Sequence, residues 1–195
     1  MDGTRVLARV MIVLCLLGGA SLARAEERVT QDLSGVDDFD FQLGQWRVAH
    51  RVLRPQPDGS QAWIEFTGTS SNRQVMDGLM NIEDNLFHTA QGDRRGVAIR
   101  SYDRSNGTWA IWWVDERYPH AAIDPPVVGR FEHGVGTFVS DSVVDGKTVR
   151  TRFTWSHITP TSARWEQASS EDGGKRWITN WTMRFERTGA APSPD

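Results

Sequence analysis

Between Trp46 and Arg187, apolar and polar side chains alternate at period two. Turn residues interrupt the alternation about every ten to fifteen positions, which is a strand-and-hairpin pattern. The predicted strands are Trp46–Leu53, Gln61–Ser70, Asn81–Thr89, Gly96–Asp103, Thr108–Asp115, Val127–Glu132, Val135–Asp141, Lys147–Trp155, Ala163–Ser169 and Trp177–Arg187. Between them lie Pro57-Asp58-Gly59, Gln91-Gly92-Asp93, Ser105-Asn106-Gly107, His133-Gly134, Asp145-Gly146 and Asp172-Gly173-Gly174, residues that accept tight-turn geometry. No stretch carries a convincing 3.6-residue stripe, apart from one helical turn expected over Asp37–Leu43. About ten strands on short hairpins predict an all-β, up-and-down antiparallel barrel, which removes exposed edges by closing on itself. A β-sandwich is the alternative.

Strand parity separates inward from outward side chains. In the first strand Arg47 and Arg51 share one face, so Trp46, Val48, His50 and Val52 share the other. Arg150 and Arg152 oppose Val149, Thr151, Phe153 and Trp155. Trp165 and Gln167 oppose Arg164 and Glu166, while Trp177, Thr179, Trp181, Met183 and Phe185 oppose Arg184 and Glu186. The adjacent Trp112 and Trp113 must face opposite ways. The inward set is rich in tryptophan, with His50, Gln167 and Thr179 as its polar members. Such an interior either fills itself or holds one small ligand. The candidate lining is His50, Trp63, Trp113, Trp165, Gln167 and Thr179.

The first residues change the picture of where the chain works. Arg5 and Arg9 precede an apolar run from Val10 to Leu17, and Ala23-Arg24-Ala25 places small residues at the −3 and −1 positions. This is the pattern of a secretory signal peptide cleaved after Ala25, with an apolar run too short to remain as a membrane span. A lipoprotein signal through Cys15 competes, but Leu14 stands where a small residue is expected. Cleavage removes one Asp, three Arg and the only cysteine, moving the formal net charge from −3 to −5. A periplasmic or secreted protein without disulfides is expected, held by its core alone. The organisation read from the chain is residues 1–25 as signal peptide, 26–37 as a polar arm, 38–187 as the barrel domain and 188–195 as a tail. No other segment approaches transmembrane length. Of the 22 basic residues only Lys147 and Lys175 are lysines, and the acidic net charge gives no footprint for nucleic acid.

Phe41-Gln42-Leu43-Gly44-Gln45-Trp46 resembles the G-x-W opening of the calycin superfamily, which includes lipocalins, fatty-acid-binding proteins and nitrobindins. Further blocks are similar to a family of bacterial secreted proteins with this opening: Asn81-Ile82-Glu83-Asp84-Asn85, Arg95-Gly96-Val97-Ala98, the run from Asp124 to Phe131, and Thr159 through Trp181. The resemblance spans Asp38 to Arg187 and implies a calycin-like barrel rather than a particular activity. It also implies that the G-x-W tryptophan, Trp46, lies under an arginine of the last strand, Arg187, closing the barrel base by a cation–π contact. The nitrobindin branch holds haem through a histidine near the C-terminus. Here the last histidine is His157 and the final two strands have none, so haem is not expected.

The remaining chemistry is sparse. His50, His88, His120, His133 and His157 show no ligand spacing, and no metal or cofactor is expected. Glu65 shares a face with Trp63 and Thr67, opposite Ile64 and Phe66. Turned inward beside His50, it would be a carboxylate of raised pKa fit for acid–base work; turned outward it is a solvated surface charge. No nucleophile elbow is present. Ser170-Glu171-Asp172-Gly173-Gly174-Lys175-Arg176-Trp177 resembles an Asp-box, a hairpin device, with Arg176 in place of its threonine. The long connection Glu116–Pro126 reads as a lid or a stiff crossover, with Tyr118 and His120 near the mouth. The function expected is binding of a small hydrophobic or aromatic molecule inside the barrel. The alternative is a calycin-type isomerase, cyclase or lyase using His50 and Glu65 as acid and base.

Overall fold

The computed structural model describes residues 31–190, so the expected signal peptide and its cleavage site lie outside the described residues. Ten antiparallel strands follow one another in the chain: β1 (Gly44–Pro55), β2 (Gln61–Val75), β3 (Met80–Thr89), β4 (Gly92–Asp103), β5 (Thr108–Asp115), β6 (Val127–Glu132), β7 (Val135–Val144), β8 (Lys147–Ser156), β9 (Ser162–Ser170) and β10 (Ile178–Gly189). Each pairs with its predecessor, and β10 pairs back onto β1, so the sheet closes as an up-and-down barrel and not as a sandwich. The alternation in β1 is the reason this strand is unambiguous: Trp46, Val48, His50 and Val52 are buried, and Arg47, Ala49 and Arg51 are exposed.

The base of the barrel is plugged. A single 3₁₀ turn at Asp40–Gln42 follows Phe39, whose ring meets Trp109 and Phe131 edge-on at 5.1 and 5.0 Å. Trp46 donates its indole N–H to the Gln42 carbonyl at 2.8 Å. Over the other face of that indole lies the Arg187 guanidinium, 4.2 Å from the ring centroid, the stack that the calycin resemblance implies. Arg187 also donates to the carbonyls of Phe41 at 2.6 Å, Pro160 at 2.7 Å and Leu43. One side chain thus ties together the 3₁₀ plug, the β8–β9 turn and the first and last strands.

Three departures from strict alternation shape the barrel, the first at its base, where Asn72 pairs with Gly44, and the other two at the mouth. A β2–β3 turn at Met76-Asp77-Gly78, with φ of 53°, 52° and 86°, lengthens β2 beyond Ser70 to Val75. In β10 the register shifts between Thr179 and Trp181: Thr179 opposes Ala168, Trp181 opposes Gln167, and Asn180 is the extra residue. A one-residue slip transfers every side chain beyond it to the other face. The third departure is a short β6. It meets β5 only at Trp109, Ala110 and Ile111, while Ser140–Val144 of β7 pair with β8 alone. The upper half of β5 therefore pairs with β4 alone, and on its other side the connection from Glu116 to Pro126 runs where a strand would lie. The Asp-box stretch acts as a turn: Ser170 Oγ donates to Asp172 Oδ1 at 2.8 Å, and that oxygen accepts the backbone N–H groups of Lys175 and Arg176.

Candidate functional site

Above the plug the barrel interior is open. An inner cavity of about 410 Å³ is walled by Phe87, Trp113, Phe153, Trp155, Trp165 and Trp181, among others, with Glu83, Asn85 and Arg100 at its deep end. An outer vestibule of about 630 Å³ lies at the mouth between Arg54, Arg94, Asp115 and the connection residues Arg117–Pro119 and Ala121–Asp124. Trp113, Asp124, Gln167 and Trp181 line both spaces and form the neck between them. Trp113 can lie flat against β4 because residue 96 is glycine; a Cβ there would stand 2.1 Å from the indole. The gap beside β5 lets Ser140–Val144 and Pro125 border the inner cavity.

The deep end carries a polar network that alternation supplies directly. Asn81, Glu83, Asn85 and Phe87 occupy the inward positions of β3, and all four are buried. Glu83 accepts hydrogen bonds from Ser70 Oγ at 2.6 Å and Gln42 Nε2 at 3.3 Å, and forms an ion pair with Arg100. Arg100 reaches Asn81 Oδ1 at 2.9 Å and stacks over Phe39 at 4.9 Å. A buried ion pair whose remaining lone pairs are filled is stable as a unit, and its two charges cancel. Sequence reasoning missed this group. The signal lay in the quoted block Asn81-Ile82-Glu83-Asp84-Asn85, where polar side chains sit at the parity of an inward Phe87.

Of the residues expected to line a cavity, Trp113, Trp165 and Gln167 do so. Gln167 Nε2 donates to Asn180 Oδ1 at 2.9 Å, and Asn180 borders the vestibule. Thr179 does not line it, because the β10 bulge turns it to the outer face and presents Asn180 instead. The bulge likewise leaves Trp177 outside, with the Arg152 guanidinium 4.1 Å from its ring centroid. Trp63 and Glu65 are also outside. Glu65, its side chain 70% exposed, pairs with Arg51 Nε at 2.9 Å, and Arg51 covers Trp63 at 5.1 Å. The outward alternative for Glu65 is the one realised: its register partner Arg51 is an outward residue of β1.

His50 is inside the barrel at 2% exposure but borders neither cavity. Its ring stacks on Phe66 at 4.6 Å, and Trp181 donates its indole N–H to Nδ1 at 3.3 Å. Burial, helped by the nearby Arg94 charge, pushes its pKa down to about 3, so the imidazole is neutral near neutrality. The His50–Glu65 acid–base pair of the alternative reading does not form, since the two side chains occupy opposite faces of the wall. What His50 does is orient Trp181, a wall of both cavities. Of the two mouth residues expected on the long connection, Tyr118 borders the vestibule and His120 does not.

No family model matches this chain, and no curated protein matches it. Among solved structures, the S-type phycobiliprotein lyase CPES from Guillardia theta is similar at 13% identity, over 79% of this chain and 93% of that one, with a TM-score of 0.49.

At the mouth, Asp115 is held at a pKa of about 2, chiefly by hydrogen bonds from the Arg117 side chain. Arg117 donates to its carboxylate through Nε at 2.9 Å and Nη2 at 2.7 Å. Among the described residues, no three His, Cys, Asp or Glu side chains converge as metal ligands would. The assembled site is an aromatic tunnel with a neutral polar floor and a charged rim.

Proposed function

We propose that the protein binds one small hydrophobic or aromatic molecule within the barrel. The observation that carries this reading is the neck: Trp113, Gln167 and Trp181 border both spaces and join the vestibule to an inner cavity of about 410 Å³. That volume suits a single compact ligand, and aromatic walls with a few placed polar groups are the usual form of such sites. N-Phenyl-1-naphthylamine, a neutral aromatic fluorophore, is expected to bind at a one-to-one ratio and to quench tryptophan emission. Ala98 points into the inner cavity, so an Ala98→Phe variant is expected to fill it and to weaken probe binding by about tenfold or more. Absence of saturable binding to the folded wild type would remove the reading.

Export to the periplasm or beyond belongs to the same proposal and rests on residues 1–25 of the sequence. N-terminal sequencing of protein recovered from outside the cytoplasm is expected to start at Glu26. A start at Met1, or a lipidated Cys15, would refute the export route.

A further inference from the structure

Strand β4 sends two arginines inward, Arg94 near the mouth and Arg100 near the floor, and their surroundings differ. Both terminal nitrogens of Arg100 are partnered, by Glu83 and by Asn81. Arg94 is also largely withdrawn from water, its side chain 15% exposed and its guanidinium 4.3 Å from the Phe87 ring centroid. Yet among the described residues it makes one hydrogen bond, from Nη1 to Asp115 Oδ2 at 3.3 Å. That carboxylate is already occupied by the Arg117 fork and by the Arg117 backbone N–H at 3.0 Å. Arg54 lines the same vestibule with Arg94, Arg117, Asp115 and Asp124, and Glu116 lies near enough to act on Arg94; Asp115, the carboxylate that Arg94 reaches, is shared with the Arg117 fork. A half-buried guanidinium with most of its donors unused is a receptor for an anion, because a charge-assisted bond there replaces lost hydration. Burial, and then the Arg117 and Arg54 charges, lower the Arg94 pKa, while Asp115 and Glu116 act in the other direction.

We infer that the ligand is an amphipathic anion, a carboxylate- or sulfonate-bearing aromatic. Its acidic group sits on Arg94 in the vestibule, and its apolar body passes between Trp113 and Trp181 into the inner cavity. This rests on the proposed binding role and gives it a charge and a direction: acid outward, rings inward. Arg94 is the anchoring cation, with Arg54 adding field from a more exposed position. The Glu83–Arg100 pair takes no part in anion capture, since its charges already cancel.

The test compares two fluorophores that share one skeleton and differ by a sulfonate, 8-anilino-1-naphthalenesulfonate and N-phenyl-1-naphthylamine. The wild type is expected to bind the anionic probe about tenfold more tightly, with added salt weakening that probe alone. Each probe should displace the other, showing one shared site. In Arg94→Met the anionic probe is expected to lose about tenfold in affinity while the neutral probe stays within about twofold. Arg54→Gln, at an exposed position that leaves folding intact, should lower anionic-probe affinity about threefold. If the neutral probe binds as tightly as the anionic one, or if both variants leave the anionic affinity unchanged, the anion inference falls and the cavity stands. If neither probe binds the folded protein, both readings fall.

Discussion

Replacing Glu83 with Ala is expected to lower the unfolding free energy by about 3–5 kcal/mol, the largest single-residue effect foreseen outside the aromatic plug. The loss arises from what remains rather than from the bond removed. Arg100 would keep a full charge at the cavity floor with Asn81 as its single hydrogen-bond acceptor, and the donors of Gln42 and Ser70 would lose theirs. Gln42 belongs to the 3₁₀ plug, and Arg100 stacks on Phe39 and Trp155, so the damage extends into the base. A double variant, Glu83→Met with Arg100→Met, removes both charges together and is expected to recover most of the loss. Urea denaturation followed by tryptophan fluorescence gives both numbers. A single-variant loss below about 1 kcal/mol, or a double variant as unstable as the single one, would show that the pair is not desolvated as a unit.

The network also explains why part of the interior escaped a reading based on hydrophobic alternation. In β1 the outward Arg47 and Arg51 fix the parity, and Trp46, Val48, His50 and Val52 are legible from them. The same holds for Trp165 and Gln167 in β9. In β3 the rule inverts: the inward positions are Asn81, Glu83 and Asn85, while Ile82 and Leu86 point out. An apolar-in rule assigns such a strand to the wrong face unless a large anchor such as Phe87 fixes the parity. The same ambiguity surrounded Glu65, where the apolar neighbours Ile64 and Phe66 pointed to the correct answer. Thr179 and Trp177 failed for a different reason. A bulge adds one residue to a strand against its partner, and no period in the sequence announces where it falls. The short β6 was visible as six residues, but the open β6 side of the upper half of β5 follows from register, which alternation alone does not specify. Ring closure and the aromatic interior were legible because several independent strands repeat the same pattern, whereas the Trp46–Arg187 stack came from the G-x-W resemblance.

Acid is expected to destabilise the protein through His50 at pH values where carboxylates are still ionised. Its folded pKa of about 3 lies below the ordinary histidine value of 6.5, because a protonated imidazole would be desolvated between Phe66, Phe87 and Trp181 with Arg94 nearby. The unfolded chain therefore takes up a proton as the pH falls through 6.5, and the folded chain does not. Linkage gives the sign: the unfolded state binds more protons, so stability falls with falling pH, and above about pH 7 the group contributes no slope. One proton corresponds to about 1.4 kcal/mol per pH unit, so about 3 kcal/mol is lost by pH 4.5. Asp115, with a folded pKa of about 2, adds its own loss only at lower pH, as its unfolded carboxyl near 3.8 begins to protonate. In His50→Gln every other titrating group is retained, and an amide oxygen can still accept the Trp181 N–H. That variant is expected to start less stable near pH 7, from poorer stacking on Phe66, and then to follow a shallower pH profile. The two denaturation curves should converge by about 3 kcal/mol between pH 7 and 4.5. Parallel profiles across that window would mean that His50 can take a proton without leaving its pocket. The neutral imidazole would then lose its place as the fixed acceptor that holds Trp181 in the cavity wall.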